Sequence, residues 1–265
     1  MYKIPSAFSN FISPTCDRLA FIQNYLQTAG VETAVIQLEG KNHIYIKFLQ
    51  SQYNSMFKIK TVIAHYDRIG IGANDNSAAV FCLMEWAAEL AKMPGFHNIR
   101  LIFTDGEELG QKGVSEQGAF PLAQTFCRLG ITSDDIYVFD CMGRGDVPIL
   151  TQTDLSSAPY KFSQSFTVLE QRAQTLIQTA GNGKWFTLPC NYSDNASFIA
   201  CGIPAVAITM LPSEEVGIAM HGGQPETWKL FHTPKDNLAS LTPQSFELFH
   251  RILKLLAAQK TLIQV

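Results

Sequence analysis

Two histidines and a scatter of carboxylates lie in this chain in short settings that suit metal chemistry. They are His65-Tyr66-Asp67, Asp75-Asn76, Glu107-Glu108, Asp140 and His232. Imidazole nitrogen and carboxylate oxygen are the donors used by catalytic zinc centres. Five such ligands and a spare glutamate meet the needs of a pair of zinc ions and an activated water, which is the chemistry of hydrolysis. Each member alone also has an ordinary reading. His65 and Asp67 are two residues apart, so on an extended segment they face the same way. One can then bind a metal while the other accepts the remaining ring N–H, or the pair is a surface histidine beside a solvated acid. Asp75 precedes an apolar helical pattern, where an acid or amide usually caps the helix. Asp105, Glu107 and Glu108 crowd the end of an apolar strand. Like charges this close are costly unless a cation neutralises them or one is protonated. A division of labour removes the conflict: one glutamate binds metal and its neighbour takes a proton from the water. A lone Asp140 after a strand reads as a turn residue, and a lone His232 before Pro234 as structural; their joint occurrence is the signal.

The elements that position these residues follow from apolar spacing. Residues 15–28 give an amphipathic helix ending at Gly30. Strands near 32–38 and 43–48 are joined by the turn Glu39-Gly40-Lys41-Asn42. The run from Phe57 to Ala64 becomes increasingly apolar and stops at His65. Helical spacing resumes over 75–92, 118–129 and 163–180, with a short helix after Ser193 and a last one from about Pro243 to Gln259. Further strands lie at Ile99–Phe103, Ile136–Phe139 and Ala205–Met210. Strands that alternate with helices and are apolar throughout imply a mostly parallel sheet covered on both faces. Ligands bind such sheets beyond the carboxyl ends of the strands. His65, Glu107, Glu108 and Asp140 all lie there, which turns scattered residues into one candidate site.

Composition narrows the classes. A chain of 265 residues with 46% hydrophobic residues and 18 Phe buries a large core, and no linker or repeat divides it, so one domain over 1–265 is expected. Charged residues make up 16% and the net charge is −3, which excludes the basic stripe of a nucleic-acid binder. No apolar run reaches membrane-spanning length, and Met1–Ser6 lacks the apolar core of a secretory signal. A soluble cytoplasmic protein is the expectation. None of the six cysteines forms a Cys-x-x-Cys pair, which argues against a cysteine zinc site. Buried free thiols are expected, with pairing of Cys190 and Cys201 as the alternative for an exported chain.

The ordered set His65-x-Asp67, Gly72-Ala73-x-Asp75-Asn76, Glu107-Glu108-x-Gly110, Asp140, Ser193-Asp194-x-x-x-Phe198 and His232-Thr233-x-x-Asp236 resembles the co-catalytic di-zinc aminopeptidase family. That family contains the bacterial leucyl aminopeptidases, and glutaminyl cyclases share its fold. The likeness covers residues 60 to 240 or so. It implies a three-layer α/β/α, phosphorylase/hydrolase-like fold around a mostly parallel (mixed) twisted sheet. It also implies that Asp75 bridges two zinc ions, with His65 and Asp140 completing one shell and Glu108 and His232 the other. Glu107 would be the general base, and Asp67 the partner that orients His65. Manganese or cobalt could substitute for zinc. The implied activity is removal of the first residue from peptides with a free amino terminus.

This chain departs from the family pattern at Asn195, where a ring often follows Ser-Asp, and at Ser77-Ala78-Ala79, which replaces a small-residue run ending in Gly. Tyr192 is a candidate donor to an oxyanion, and Trp228 and Phe231 are candidate walls of a specificity pocket. His221, the Arg144-Gly145-Asp146 tripeptide and the Asn191 and Asn195 glycosylation patterns read as ordinary loop sequence. The nearest alternative is a cyclase-like aminoacyltransferase with one zinc, although Asp75-Asn76 resembles the peptidase form of that motif more. Another is a non-catalytic binding relative. A carboxypeptidase would want an arginine to anchor a carboxylate, and only Arg68 and Arg144 lie close to the motifs.

Overall fold

The computed structural model describes residues 3–263. Among them an eight-stranded sheet runs in the order β1-β2-β4-β3-β5-β8-β6-β7. The edge hairpin pairs β1 (Glu32–Leu38) with β2 (Lys41–Lys47) antiparallel, Leu38 opposite Lys41. Its two-residue turn places Glu39 and Gly40 at φ +48° and +78°, the left-handed pair that matches strand twist. The centre, β4 (Ile99–Thr104), β3 (Lys60–His65), β5 (Asp135–Phe139) and β8 (Ala205–Leu211), is parallel throughout. On the far side β6 (Val147–Thr151) runs antiparallel to β8 and parallel to β7 (Phe186–Leu188).

Alternate residues of the central strands feed two cores, as the pleat requires. Val62, Ala64, Leu101, Phe103, Tyr137, Phe139, Val206 and Ile208 pack under α1 (Ser6–Phe11), α2 (Arg18–Thr28), α3 (Ala78–Lys92), α5 (Tyr160–Ala180) and α9 (Pro243–Ala258). Ile63, Ile102, Ile136, Val138, Ala205 and Ala207 pack on the other face under α4 (Ala119–Arg128) and α6 (Asn195–Ala200). The expected α/β/α layering with a mixed, mostly parallel sheet is therefore observed. Lys60 is buried at the start of β3, and its Nζ donates to the Leu256 carbonyl at 2.8 Å and to the Gln259 carbonyl, which closes the open end of α9.

Several elements differ from the sequence expectation. The helix expected over 15–28 begins at Arg18, where Asp17 caps it, and α1 precedes it. The helix expected over 75–92 starts at Ala78, because Asp75 and Asn76 have non-helical dihedrals. β6, β7, α7 (Ser213–Met220) and α8 (Glu226–Leu230) carry no periodic signal long enough to read. All six cysteines are free, so Cys190 and Cys201 do not pair, and Cys127 is exposed rather than buried. No helix among the described residues is long and apolar enough to cross a membrane.

Candidate metal centre

β4, β3 and β5 are neighbours, so their carboxyl ends lie side by side. The fully buried strand Lys60–His65 carries His65 into the interior, opposite Thr104. Both ring nitrogens of His65 are buried and neither makes an aligned hydrogen bond. Yet Nδ1 lies 3.4 Å from Asp67 Oδ1, and Nε2 lies 3.3 Å from Asp75 Oδ1 and 3.5 Å from Asp140 Oδ1. His232 arrives from the loop after α8, with Nε2 at 3.2 Å from Asp75 Oδ2 and 2.9 Å from Glu108 Oε2. Two groups of three donors result, His65-Asp75-Asp140 and Asp75-Glu108-His232, each with its ligand atoms within 4.8 Å of one another. Asp75 belongs to both, one oxygen to each.

The backbone around these residues is held by short polar side chains. Asp67 accepts the Glu107 and Glu108 N–H groups at 3.2 and 3.1 Å, which fixes the turn after β4 as well as facing His65. Asp236 accepts the Asn74 and Asp75 N–H groups at 2.7 and 3.0 Å. Asn76 clasps Asp140 from both sides: its Nδ2 donates to the Phe139 carbonyl at 2.9 Å and its Oδ1 accepts the Cys141 N–H at 3.1 Å. Asn74 Oδ1 accepts the Gly143 N–H at 2.7 Å. The Asp75–Asn76 peptide is cis. Asn74 and Asp75 therefore do not cap α3. Cys141 and His232, next to Asp140 and inside the second group, have φ of +56° and +59°. A non-glycine residue there costs about 1–2 kcal/mol, and such positions cluster at functional sites.

Glu107 stands apart from both groups. Gln117 Nε2 donates to its Oε1 at 3.0 Å, and Gln117 Oε1 in turn accepts the Ser197 hydroxyl at 2.7 Å. Gln117 is buried, and its side chain packs on Gly110, where an added Cβ would meet it at 2.8 Å. The third acid of the turn, Asp105, faces away and accepts the Asn42 N–H at 3.0 Å. Asp194 is fully buried below the site, bonded by the Thr104 hydroxyl through one oxygen, with Oδ1 unpartnered.

These carboxylates push against each other. Burial and the nearby Asp75 charge raise Glu108 to about 7. Burial, reinforced by Asp140, Asp194 and Asp75 and opposed by His65, pushes Glu107 well above the usual carboxylate range. Burial also lifts Asp194 to about 7. Asp75 is the exception: burial opposes its charge, but His232 and His65 hold it below the usual range. Burial disfavours the His65 cation too, yet the Asp140 carboxylate, with Asp67 and Asp75, outweighs it and raises His65 well above 6.5. An excess of negative charge around the buried His65 imidazole and the more exposed His232 is the field a divalent cation relieves.

The groups open into a cavity of about 270 Å³ that Tyr192, Ile208, Trp228 and Phe231 also line. The Tyr192 hydroxyl donates to the Gly110 carbonyl at 2.6 Å and is thereby engaged. Neither Arg68 nor Arg144 lines it. Arg68 binds the Ile12, Ser13 and Ile71 carbonyls, and Arg144 binds Glu215, Thr227 and Ser240.

A model of peptidase family M28 matches residues 51–257. The chain belongs to Peptidase family M28. No curated protein matches its sequence significantly. Among solved structures, the Legionella pneumophila LapA aminopeptidase is similar at 17% identity and a TM-score of 0.67, over 97% of this chain and 75% of that one. A zinc aminopeptidase from Bacillus subtilis gives 19% and 0.59, over 82% of this chain and 49% of that one. Porphyromonas gingivalis glutaminyl cyclase gives 18% and 0.64, over 97% and 98%. At these identities the likeness concerns the fold.

Within this M28 chain, all seven residues singled out from the sequence converge. His65, Asp75, Glu108, Asp140 and His232 form the two groups, while Asp67 and Glu107 flank them. Gln117 and Ser197 were missed. A glutamine before a glycine in a loop carries no local signal, and only the fold brings it to Glu107. Asn195, where the family pattern often has a ring, turns back to accept the Ser193 N–H at 3.1 Å and offers nothing to the cavity.

Proposed function

We propose that the chain is a zinc-dependent aminopeptidase that removes the first residue from peptides with a free amino terminus. Asp75 carries this reading, because its two oxygens face different histidines, His65 at 3.3 Å and His232 at 3.2 Å. A carboxylate so placed suits a pair of cations better than one. The donors fit zinc: the groups hold imidazole and carboxylate, without thiolate, and His65 has two buried ring nitrogens that no aligned hydrogen bond uses. His65, Asp75 and Asp140 would hold one ion, and Asp75, Glu108 and His232 the other. Bound there, zinc would supply the charge that makes a water nucleophilic near neutral pH and polarises a scissile carbonyl.

The residues of the chain supply the rest. Gln117 anchors one oxygen of Glu107, which leaves the other to take a proton from the attacking water and return it to the departing amine. Asp67 keeps the Glu107-Glu108 backbone in place and fixes the face that His65 presents. The cavity is acidic near the two groups and carries no arginine, so it favours an ammonium over a carboxylate terminus. Ile208, Trp228 and Phe231 give its lining an apolar portion suited to the side chain of the first residue.

One observation favours a second reading, a glutaminyl cyclase-like transferase: the chain and the Porphyromonas gingivalis cyclase superpose over nearly their full lengths. A panel of aminoacyl fluorogenic amides, run with and without chelator alongside metal counting, tests the choice. Chelator-sensitive hydrolysis with two zinc ions per chain is expected. Cyclisation of N-terminal glutamine, one zinc and no cleavage would overturn it.

A further inference from the structure

We infer that α3 and α9 carry a second metal site, built from Cys82, Glu85 and His250, for a divalent cation of the zinc class that accepts thiolate. It shares no residue with the centre described above. Cys82 and Glu85 are one turn apart on α3 and so lie on the same face; His250 reaches them from α9. One ligand atom of each lies within 4.8 Å of the other two. His250 Nε2 already faces Glu85 Oε2 at 3.4 Å. Its other nitrogen, Nδ1, donates to the Phe246 carbonyl at 2.8 Å. A carbonyl only accepts, so Nδ1 holds the hydrogen and Nε2 is the nitrogen offered to the cluster. Ring orientation by a carbonyl in this way is how metal-binding histidines are usually held.

Burial is graded across the site. Cys82 is 1% exposed, while the Glu85 and His250 side chains are 21% and 25% exposed. The soft ligand thus sits at the floor, and the hard ligands sit nearer the surface. Zinc bonds of about 2.3 Å to sulfur and about 2.0–2.2 Å to nitrogen and oxygen require closure of roughly an ångström, which the Glu85 side chain can supply. Thiolate and carboxylate together balance a divalent charge, the thiol proton leaving to solvent, and Glu89 adds to the negative field on His250. An occupied site would tie α9 to the helix that follows the Asp75 segment.

Cobalt titration of the whole protein tests the inference, because a thiolate-to-cobalt absorption band cannot arise from the nitrogen and oxygen donors of the first centre. Cys141 needs a control, since its Sγ lies 3.2 Å from Asp140 Oδ1. The band is expected in the wild-type protein and in C141S. It should vanish in C82S and weaken in H250Q, with cobalt affinity at this site reduced by roughly 10–100-fold. Bound cobalt should fall by one ion per chain in C82S, while amide hydrolysis stays within about twofold, since the site is separate from the first centre. Should C82S fold poorly, H250Q reads the same band from the rim. No band at saturating cobalt, a band lost in C141S but kept in C82S, or equal cobalt content in wild type, C82S and H250Q would overturn the inference. Each of these readings is independent of whether the first centre cleaves peptides.

Discussion

Glu107 and Glu108 are adjacent in sequence and differently employed, and the difference lies in what grips them. Glu108 Oε1 accepts the Ile69 N–H at 3.1 Å while Oε2 meets His232. Glu107 Oε1 is gripped by the Gln117 amide. Glu107→Gln should therefore lower kcat by about 10²–10⁴-fold, the usual weight of a general base, with zinc content unchanged. Loss of zinc together with activity in that variant would place Glu107 among the ligands instead. Gln117→Leu keeps the volume and removes the amide. It is expected to lower kcat by roughly tenfold or more with little change in KM, because a misplaced base affects the transition state more than binding. An unchanged kcat would show that Glu107 is positioned without it. The seven site residues were legible in the sequence because each ends a strand or opens a turn and their order matches a family. Gln117 and Ser197 were not, since the chain of contacts from Ser197 through Gln117 to Glu107 depends on how the loop after β4 packs against α6.

At the scale of elements, the turn from Gly70 to Ser77 illustrates what pattern reading gets wrong and why. Its acids and amides before an apolar helix read as a helix start, whereas the structure uses them to hold the Asp140 loop and to receive Asp236. Tertiary partners outbid local capping here. Gly72, at φ +58°, has the Asp75 carbonyl where a Cβ would be. Gly72→Ala should destabilise by more than about 1 kcal/mol and weaken zinc binding, measured by denaturant unfolding and metal titration. Two buried histidines give the elements a pH limit. His43 Nδ1 accepts the Asp105 N–H and His97 Nδ1 accepts the Ile99 N–H, so each must be neutral. Burial lowers both to about 4 from an ordinary 6.5. Between those values these two imidazoles bind more protons in the unfolded chain than in the folded one, so their contribution to stability falls as pH drops from 6.5 and levels off below about 4, against the opposite trend of the raised carboxylates Glu108 and Asp194. Melting curves across that range should show the wild type losing more stability with acid, or gaining less, than His97→Gln. A decline of the same size in the variant would assign it to other groups.

Metal held at the centre would couple it to the stability of the whole molecule. A ligand that binds only the folded state stabilises it by RT ln(1 + [L]/Kd), about 4 kcal/mol at a thousandfold excess over Kd. Chelation should therefore lower Tm by several degrees as well as abolish hydrolysis, and zinc should restore both; a Tm indifferent to chelator would mean that the groups do not hold metal tightly. The sheet order was only partly legible. Long apolar runs announced β3, β4, β5 and β8, which carry the site. Three-residue β7 and Pro148-bearing β6 did not, since short strands lean on neighbours rather than on their own pattern.

Asp236 accepts the Asp75 N–H across 161 residues of chain. The amides of Asn74 and Asp75 are thus shielded by a loop far away in sequence, and any opening of the 232–236 segment would expose them to solvent. Hydrogen exchange at these two amides should track the opening of that segment, slow in step when zinc is added, and quicken in Asp236→Ala. Any opening of that segment would take His232 from the centre and free the backbone of Asp75 together, so one hydrogen-exchange rate would read both ends of the loop's contact.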